Sequence, residues 1–402
     1  MKTLLDAVTL QGGNQTADKT AIIYLETDAE PITVTRGDFA TNVNRYASSL
    51  AGLDIGPRDL VIIAHTQNLE SIYAFWAVML LDAIPSMFPT LTEKLDPGIY
   101  MNRMAKLVEH SDTRAILTTD EFAPQLAPAV GCPVYSSSDL QGNSGEFSVA
   151  DPSPDEVAFL QHSSGTTGLQ KGVALSHTAA LNHLRSYREA LQLSSDDVIV
   201  SWLPLYHDMG LIAGFLIPLV EGIPLVLMSP FDWVSHPAML LRALDEYKGT
   251  LCWLPNFAYQ HCARRIRKRD TEGIDLSGVR AFINCSEPVH HSSHMSFLER
   301  FEANGARADQ LAVSYAMAEN TFAVTQTPVG RPPVIDIVDR AALENEQKAA
   351  PIEPDAPTAQ INVSCGPPIA NVEVRVLDAG GNDLSERGLG ELAVRSDFML
   401  SG

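Results

Sequence analysis

The sequence predicts an α/β protein built on parallel sheets, with an antiparallel β region towards its carboxyl end. In residues 1–150, strand-like and amphipathic helical patterns alternate, and strand–helix–strand order favours parallel βαβ units. A segment rich in Ser, Gly and Thr follows a strand pattern at 157–160 and precedes a helical pattern at 176–193. From Val372 onwards, alternating strands joined by Gly380-Gly381 are typical of antiparallel structure.

Length, charge and cysteine content narrow the class of protein. A chain of 402 residues, 45% hydrophobic and 19% charged, predicts a globular protein with two or more subdomains. The net charge of −21 argues against non-specific binding to nucleic acid or to an anionic membrane surface. The longest apolar run, Met209 to Val220, is interrupted by Gly and Pro and is too short for a membrane span. An acid in the first six residues argues against a signal peptide, and five scattered cysteines indicate reduced thiols, so we expect a cytoplasmic protein.

The amino-terminal elements follow from their periodicities. Residues 36–53 and 69–83 have apolar positions at helical spacing, and 59–65 is a buried-strand run. Shorter strand patterns follow at 84–88 and 115–118. No pattern in this region is typical of a chemical site, so we interpret it as scaffold.

The segment from Ser163 to Gly172 predicts a phosphate cradle. Its glycines at 165, 168 and 172 permit the positive φ angles that turn successive backbone N–H groups inward. Its hydroxyl donors are Ser163, Ser164, Thr166 and Thr167, its first two glycines are Gly165 and Gly168, and Lys171 adds a point charge. The order of residues matches neither the P-loop nor the dinucleotide fingerprint. A Ser/Gly-rich surface loop is the alternative, but the lysine and the strand–loop–helix placement favour a phosphate site.

The run Ser-Ser-Gly-Thr-Thr-Gly-x-x-Lys-Gly resembles the signature loop of the acyl-adenylate-forming superfamily. That superfamily contains acyl-CoA synthetases, luciferases, peptide-synthetase adenylation domains and fatty-acyl-AMP ligases. The departure is Gln170, where the family commonly has proline. Further segments match in the same order along the chain, including 202–212, which resembles the fatty-acyl-AMP ligase branch, and Gly390-Glu391-Leu392.

A loop at 204–210 follows a strand pattern at 198–205. Because open α/β sheets place ligands at strand ends, His207 in this loop is a candidate site residue, although a lone histidine is more often structural. The resemblance implies that His207 flanks the carboxylate of a fatty acid. It also implies that Met209, Gly210 and the apolar residues that follow line an acyl tunnel, and that Phe257 belongs to the substrate site.

Two later strand ends resemble the nucleotide motifs of the family. Residues 284–288 resemble Asn-Gly-Ala-Glu-Pro, whose backbone packs on adenine, and 315–319 resemble Tyr-Gly-Met-Ala-Glu. The implied cofactor-binding residues are Ser286, Glu287, Pro288, Tyr315, Ala316 and Met317, of which Ala316 replaces a glycine. Glu319 is the implied Mg²⁺ ligand, which suits a cation that takes one or two carboxylates plus phosphate oxygens.

Three other patterns have competing interpretations. The cations at 264–269 close a helical pattern at 257–269 and are either a solvated helix end or a docking patch for an acidic carrier protein. His290, His291 and His294 have no acidic or thiol partner at ligand spacing, so we expect surface histidines. The Pro-rich stretch 331–361 predicts a disordered loop or linker. By resemblance, the same stretch is the insertion that distinguishes fatty-acyl-AMP ligases from acyl-CoA ligases.

The resemblance implies a layered αβαβα large domain of an adenylate-forming enzyme with an abutting small β-barrel subdomain. The implied divisions are an α/β subdomain with the phosphate loop (1–196), a second with the acyl and adenine sites (197–330), an insertion (331–362) and the start of the barrel (363–402). The family's small catalytic domain lies beyond Gly402, so we expect this chain to be catalytically impaired.

The implied activity uses ATP and Mg²⁺ to convert a fatty acid to acyl-AMP. The acyl group then passes to the phosphopantetheine thiol of an acyl carrier protein, with Lys171, His207 and Glu319 as the catalytic residues. The alternatives are an acyl-CoA ligase, or a module that binds acyl-adenylate without turnover.

Overall fold

Two units make up the described part of the chain. The structure is a computed structural model that describes residues 1–11, 16–92, 95–142, 144–162 and 171–402. Its helices are α1 (Leu5–Gln11), α2 (Arg36–Gly52), α3 (Leu69–Leu80), α4 (Pro97–His110), α5 (Ala123–Leu126), α6 (Ser137–Gly142), α7 (His177–Leu191), α8 (Ile217–Glu221), α9 (Pro230–Ser235), α10 (Ala238–Glu246), α11 (Asn256–Arg265), α12 (His291–Phe301) and α13 (Arg340–Glu346).

The strands and the less regular helical turns complete the secondary structure. The strands are β1 (Thr20–Leu25), β2 (Ile32–Thr35), β3 (Leu60–Ile63), β4 (Ile84–Met87), β5 (Thr113–Thr118), β6 (Val134–Ser136), β7 (Val157–His162), β8 (Gly172–Ser176), β9 (Ile199–Ser201), β10 (Leu225–Met228), β11 (Leu251–Leu254), β12 (Ala281–Asn284), β13 (Leu311–Ala316), β14 (Ala323–Gln326), β15 (Ile335–Asp339), β16 (Ala359–Val363), β17 (Val372–Leu377) and β18 (Glu391–Ser396). A π-helix spans Met209–Leu216, and 3₁₀ turns lie at Ala127–Ala129, Lys268–Thr271, Glu302–Asn304, Ala308–Gln310 and Ala318–Asn320.

The first unit comprises residues 1–181, 202–230 and 400–402. Its six-stranded sheet has the order β6-β5-β3-β4-β7-β8, and all neighbours are parallel except β7 and β8. In the same unit, β1 pairs in parallel with β10 and antiparallel with β2. The predicted parallel βαβ organisation is therefore confirmed.

Helix α3 forms the centre of the first unit's core. Asn68 caps its start, because the Asn68 side chain accepts from the Ser71 N–H and the Ser71 hydroxyl donates to the Asn68 carbonyl. The Phe75 ring packs 6.0 Å from Phe159 of β7 and 5.7 Å from Phe215 of the π-helix. Full burial of one such ring contributes about 1.5–3 kcal/mol, so this cluster fixes β7 and the π-helix against one helix.

The second unit comprises residues 182–201 and 231–399. Its sheet runs β14-β13-β12-β11-β9, with β9, β11, β12 and β13 parallel and β14 antiparallel to β13. Tyr187 is buried at its centre, where its oxygen accepts from the Trp253 indole N–H at 2.8 Å and its O–H donates to Gln326 at 2.9 Å. The two units are interleaved along the chain, whereas the divisions predicted from the sequence are consecutive segments; those boundaries stay a prediction.

The carboxyl-terminal part differs from two sequence-based expectations. Of the two interpretations of 331–361, the disordered loop or linker is wrong, because the stretch contributes α13, β15 and most of its partner β16, with Ile335 opposite Val363. Arg387 reinforces this pair through a 2.7 Å bond to Asp336. In place of the predicted small β-barrel, described residues 331–402 form two separate two-stranded sheets, β15–β16 and β17–β18.

Element boundaries also shift at two site-bearing segments. The strand predicted at 198–205 is the short β9, and the helix predicted at 257–269 ends at Arg265 before a 3₁₀ turn.

Among the residues described, no helix combines the length and the apolar character needed to cross a bilayer.

Candidate active site

Three neighbouring strand ends carry the predicted nucleotide residues of the second unit. Strands β11, β12 and β13 are adjacent and parallel, so their carboxyl ends meet at one edge of the sheet. The chain leaves these ends through Phe257, the turn 286–288 and the 3₁₀ turn that carries Glu319, in that order. The structure therefore brings together the predicted adenine, Mg²⁺ and Phe257 positions.

The predicted adenine turn, residues 286–288, is tied to the start of α11. Ser286 has a φ of +70° and is exposed, as are Glu287 and Pro288. The Glu287 carboxylate accepts a 2.9 Å bond from the backbone N–H of Phe257. A carboxylate at a helix amino terminus is favourable, because it pairs with N–H groups that have no partner within the helix. Phe257 itself is 46% exposed and packs edge-on against Trp233 at 6.2 Å.

A buried polar network supports this turn from below. The Asn284 amide donates to Asn256 at 3.3 Å and contacts His294 Nε2 at 3.0 Å. Asn256 also accepts from the backbone N–H of His290 at 3.0 Å, at the start of the next helix. Sequence reasoning missed this network, which fixes the chain on both sides of residues 286–288.

The expectation of three surface histidines is wrong for His294. This residue is 1% exposed and packs against Tyr259 at 4.9 Å, whereas His290 is exposed. Burial lowers the pKa of His294 to about 4, so its neutral ring accepts a hydrogen bond from Asn284. The apolar Phe297 three residues later, also fully buried, was the sequence signal for an inward-facing position.

Glu319 lies in a 3₁₀ turn that follows β13. Tyr315, Ala316 and Met317 lead into this turn and, like Glu319, are partly buried. Among the described residues, no group of three or more His, Cys, Asp or Glu side chains could hold a metal by itself. A single carboxylate at the end of β13 is consistent with the predicted Mg²⁺ site, because Mg²⁺ takes its other ligands from phosphate oxygens and water.

The strands on either side of the predicted phosphate loop, β7 and β8, belong to the first unit. Strand β7 ends at His162, and the predicted donors Ser163, Ser164, Gly165, Thr166, Thr167 and Gly168 lie outside the described residues. Lys171 is described and is exposed immediately before β8. His162 is buried and bonded to the Ser86 hydroxyl at 2.8 Å, and burial lowers its pKa to about 4. A neutral histidine, which the sequence analysis did not single out, thus anchors the strand that enters the loop.

The His207 loop is held by a glutamine that sequence reasoning also missed. The Gln67 side chain accepts from the Leu205 N–H at 3.1 Å and donates to the Met228 carbonyl at 3.2 Å. His207 follows this anchor and is exposed, with the Tyr206 ring 4.8 Å away. Although the residue reaches the surface, desolvation of its imidazole lowers its pKa, so it is neutral near pH 7 and can donate one N–H to a carboxylate.

The apolar run behind His207 is a fully buried π-helix. Met209 and Gly210 lie in its first turn. A Cβ on Gly210 would lie 2.1 Å from the Pro204 carbonyl oxygen, so this position accommodates only glycine. Gly210 therefore lets the helix approach the His207 loop closely, and π-helices occur frequently at functional sites. The predicted acyl tunnel along Met209 to Leu216 stays a prediction.

A parallel α/β fold of this kind is that of the large domain of an adenylate-forming enzyme. A fatty acyl-adenylate ligase from L. pneumophila, solved with acyl adenylate and pyrophosphate, superposes with a TM-score of 0.91 at 27% identity, over 100% of this chain and 70% of that one. The family model for AMP-binding enzymes matches residues 10–402, and the chain belongs to this family.

Curated relatives carry fatty-acid-activating names. The long-chain-fatty-acid–AMP ligase FadD32 of Mycolicibacterium smegmatis is 31% identical over 406 residues, 96% of this chain and 63% of that protein. The medium-chain-fatty-acid–[acyl-carrier-protein] ligase JamA of Moorena producens is 35% identical over 230 residues, 57% of this chain and 39% of that protein. The chain thus spans less than two thirds of the length of these two relatives.

Proposed function

We propose that the protein is a fatty-acyl-AMP ligase that uses ATP to convert a fatty acid to acyl-adenylate and then passes the acyl group to a carrier-protein thiol. The observation that carries this proposal is the shared edge of β11, β12 and β13, where Phe257, the adenine turn and Glu319 lie at adjacent strand ends. The fatty-acid-activating relatives and the acyl-adenylate-bound neighbour support it.

The first step is attack of a carboxylate oxygen on the α-phosphorus of ATP, with loss of pyrophosphate. A neutral His207 orients the carboxylate by hydrogen bonding, while Lys171 and the donors at 163–168 stabilise charge that develops on the phosphate oxygens. Glu319 is the residue that would hold Mg²⁺, which when bound supplies charge neutralisation at the phosphates.

The second step transfers the acyl group from the adenylate to the thiol of an acyl carrier protein, and releases AMP. We assign the docking of that acidic partner to the end of α11. Phe257 lies in the first turn of this helix, and the eight-residue interval from Phe257 to Arg265 spans about 12 Å along the helix. The cations that cluster at its end are all exposed: Arg264, Arg265, Arg267, Lys268 and Arg269. In a chain of net charge −21, this cluster is a specific attraction for an acidic surface close to the site.

The test is direct detection of the adenylate. The chain is incubated with ATP, Mg²⁺ and a mixture of short to long fatty acids, and acyl-AMP is identified by mass spectrometry, alongside calorimetric binding of acyl-AMP. We expect acyl-AMP from medium or long acids, with affinity rising by about 0.8 kcal/mol per methylene until the acyl site is full. Binding of acyl-AMP without its formation would instead support a binding module, and efficient formation of acyl-CoA would support an acyl-CoA ligase.

A further inference from the structure

The residue two places after Glu319 has a strained backbone. Thr321 is fully buried, and its φ of +64° with ψ of −57° is a conformation that β-branched residues very rarely adopt. The Phe322 N–H donates to the Asn320 carbonyl at 2.7 Å, which closes a three-residue γ-turn. Strain of this kind persists only where the surrounding structure over-determines it, and it concentrates at functional sites.

Two hydrogen bonds from a distant segment hold this turn. The Thr321 hydroxyl donates to the Phe398 carbonyl at 2.8 Å, and the Ser396 hydroxyl donates to the Asn320 side-chain oxygen at 2.7 Å. The other end of the Asn320 amide donates to the Ala323 carbonyl at 3.0 Å, so this fully buried side chain is bonded at both ends. Glu319 is therefore followed by two residues whose conformations are set by contacts with 396–398.

The holding segment is itself anchored in an aromatic cluster. Phe398 is fully buried with its ring 5.2 Å from the His183 ring, and His183 lies 6.2 Å from Phe322. Burial lowers the pKa of His183 to about 3, so the cluster holds no charge near pH 7. The Phe398 N–H also donates to the Ser396 hydroxyl at 3.3 Å, which orients that hydroxyl towards Asn320.

We propose that Ser396 and Thr321 are positioning residues for Glu319, and that the segment 396–398 acts as a latch which fixes the metal-binding carboxylate towards the nucleotide. The inference rests on the proposed function, because it takes Glu319 as the Mg²⁺ ligand. Neither residue acts on the substrate; each works through the backbone on the carboxyl side of Glu319.

Two substitutions remove one latch bond each. Ser396→Ala removes the bond to Asn320, and Thr321→Val removes the bond to Phe398 while keeping the β-branch. Because each variant loses one hydrogen bond, we expect it to bind Mn²⁺·ATP about 2- to 10-fold more weakly than the parent protein does. Half-maximal pyrophosphate release should need a correspondingly higher Mg²⁺ concentration. Binding of ATP in EDTA should be unchanged. Electron paramagnetic resonance of Mn²⁺ gives the binding readout without turnover.

Matched controls separate this effect from general destabilisation. Ser385→Ala changes an exposed serine between β17 and β18, and Thr321→Ser keeps the hydroxyl; both should behave as the parent protein. Should Thr321→Val fail to fold, Ser396→Ala carries the test alone, since Ser396 is only partly buried.

Glu319→Gln distinguishes the two ways in which the inference can fail. If Glu319→Gln weakens Mn²⁺·ATP binding and the latch variants do not, the latch is overturned and the proposed function stands. If Glu319→Gln has no effect on metal dependence, the metal role of Glu319 fails and the latch fails with it.

Discussion

At the scale of single residues, Lys171 carries the most specific prediction about the nucleotide. Its exposed position next to the predicted phosphate loop suits a contact with the β- and γ-phosphates, which acyl-AMP lacks. Because charge-assisted hydrogen bonds contribute about 1.5–3 kcal/mol, Lys171→Ala should weaken ATP binding about 10- to 150-fold and acyl-AMP binding far less. Calorimetry with both ligands measures this, with Lys248→Ala, a lysine 82% exposed, as control. Equal losses for ATP and acyl-AMP would contradict the assignment.

Gly210 tests the packing behind His207. A methyl group there would have to displace the Pro204 carbonyl, and overpacking of this kind typically costs about 1–3 kcal/mol. Gly210→Ala should therefore lower the free energy of unfolding by at least this amount in urea denaturation. Gly56→Ala is the control, because a Cβ at that position meets nothing within 4 Å. Unchanged stability of Gly210→Ala would show that the π-helix can shift away from Pro204.

At the scale of elements, α11 connects the candidate site with a basic surface. The double variant Arg264→Glu/Arg265→Glu should raise KM for an acidic carrier protein at least about 10-fold, because like charges then face each other. This increase in KM should be larger at low salt, where the repulsion is less screened. The rate of acyl-AMP formation without carrier should not change. Arg242→Glu with Lys248→Glu, which reverses two exposed charges elsewhere in the same unit, is the matched control. A similar rise in KM for both double variants would show that the net charge of the chain, and not a docking surface at the end of α11, causes the effect.

Some of these elements could be predicted from the sequence, and others could not. The strand ends at 284 and 316 have local signals, since a buried apolar run stops at a polar turn. The anchor at Gln67 has no such signal, because its partners Leu205 and Met228 are 138 and 161 residues away. The latch on Glu319 is equally non-local, since Thr321 and Phe398 are 77 residues apart. Motif reading identifies groups proposed to touch ligand, whereas the groups that position them depend on tertiary contacts.

At the scale of the whole molecule, the parallel α/β class could be predicted from the sequence, because strand and helix patterns alternate along the chain and each is visible locally. The sequence did not predict how the chain is shared between the two units, since residues 182–201 and 202–230 belong to different units although they are consecutive in the sequence. At 331–361, Pro and mixed charge favoured one wrong interpretation, a disordered loop or linker, beside the insertion that the resemblance implies. That stretch contains the alternating run at β15, whose partner β16 lies more than 20 residues further on.

Stability against acid is the last property that belongs to the whole chain. Four histidines are at least nine-tenths buried, and burial is the main cause that lowers their pKa values: to about 4 for His162, His177 and His294 and about 3 for His183. In the unfolded chain each has a pKa near 6.5. Between these values the unfolded state binds more protons, so the free energy of unfolding falls as the pH falls from about 6.5 towards 4. Each histidine contributes up to about 1.4 kcal/mol per pH unit in that window.

His183→Phe isolates one of these contributions. The net charge of −21 acts in the opposite direction, because protonation of the chain relieves self-repulsion, so the parent protein's own pH profile mixes two effects. The difference between variant and parent does not. Phe suits the site, because aromatic rings already surround His183, and its stability relative to the parent should rise by about 1 kcal/mol between pH 7.5 and 5.5. Urea denaturation at both pH values measures this difference, with His110→Asn, an exposed position, as control. A difference that stays constant with pH would mean that His183 is protonated in the folded protein, and that its aromatic surroundings do not keep it neutral.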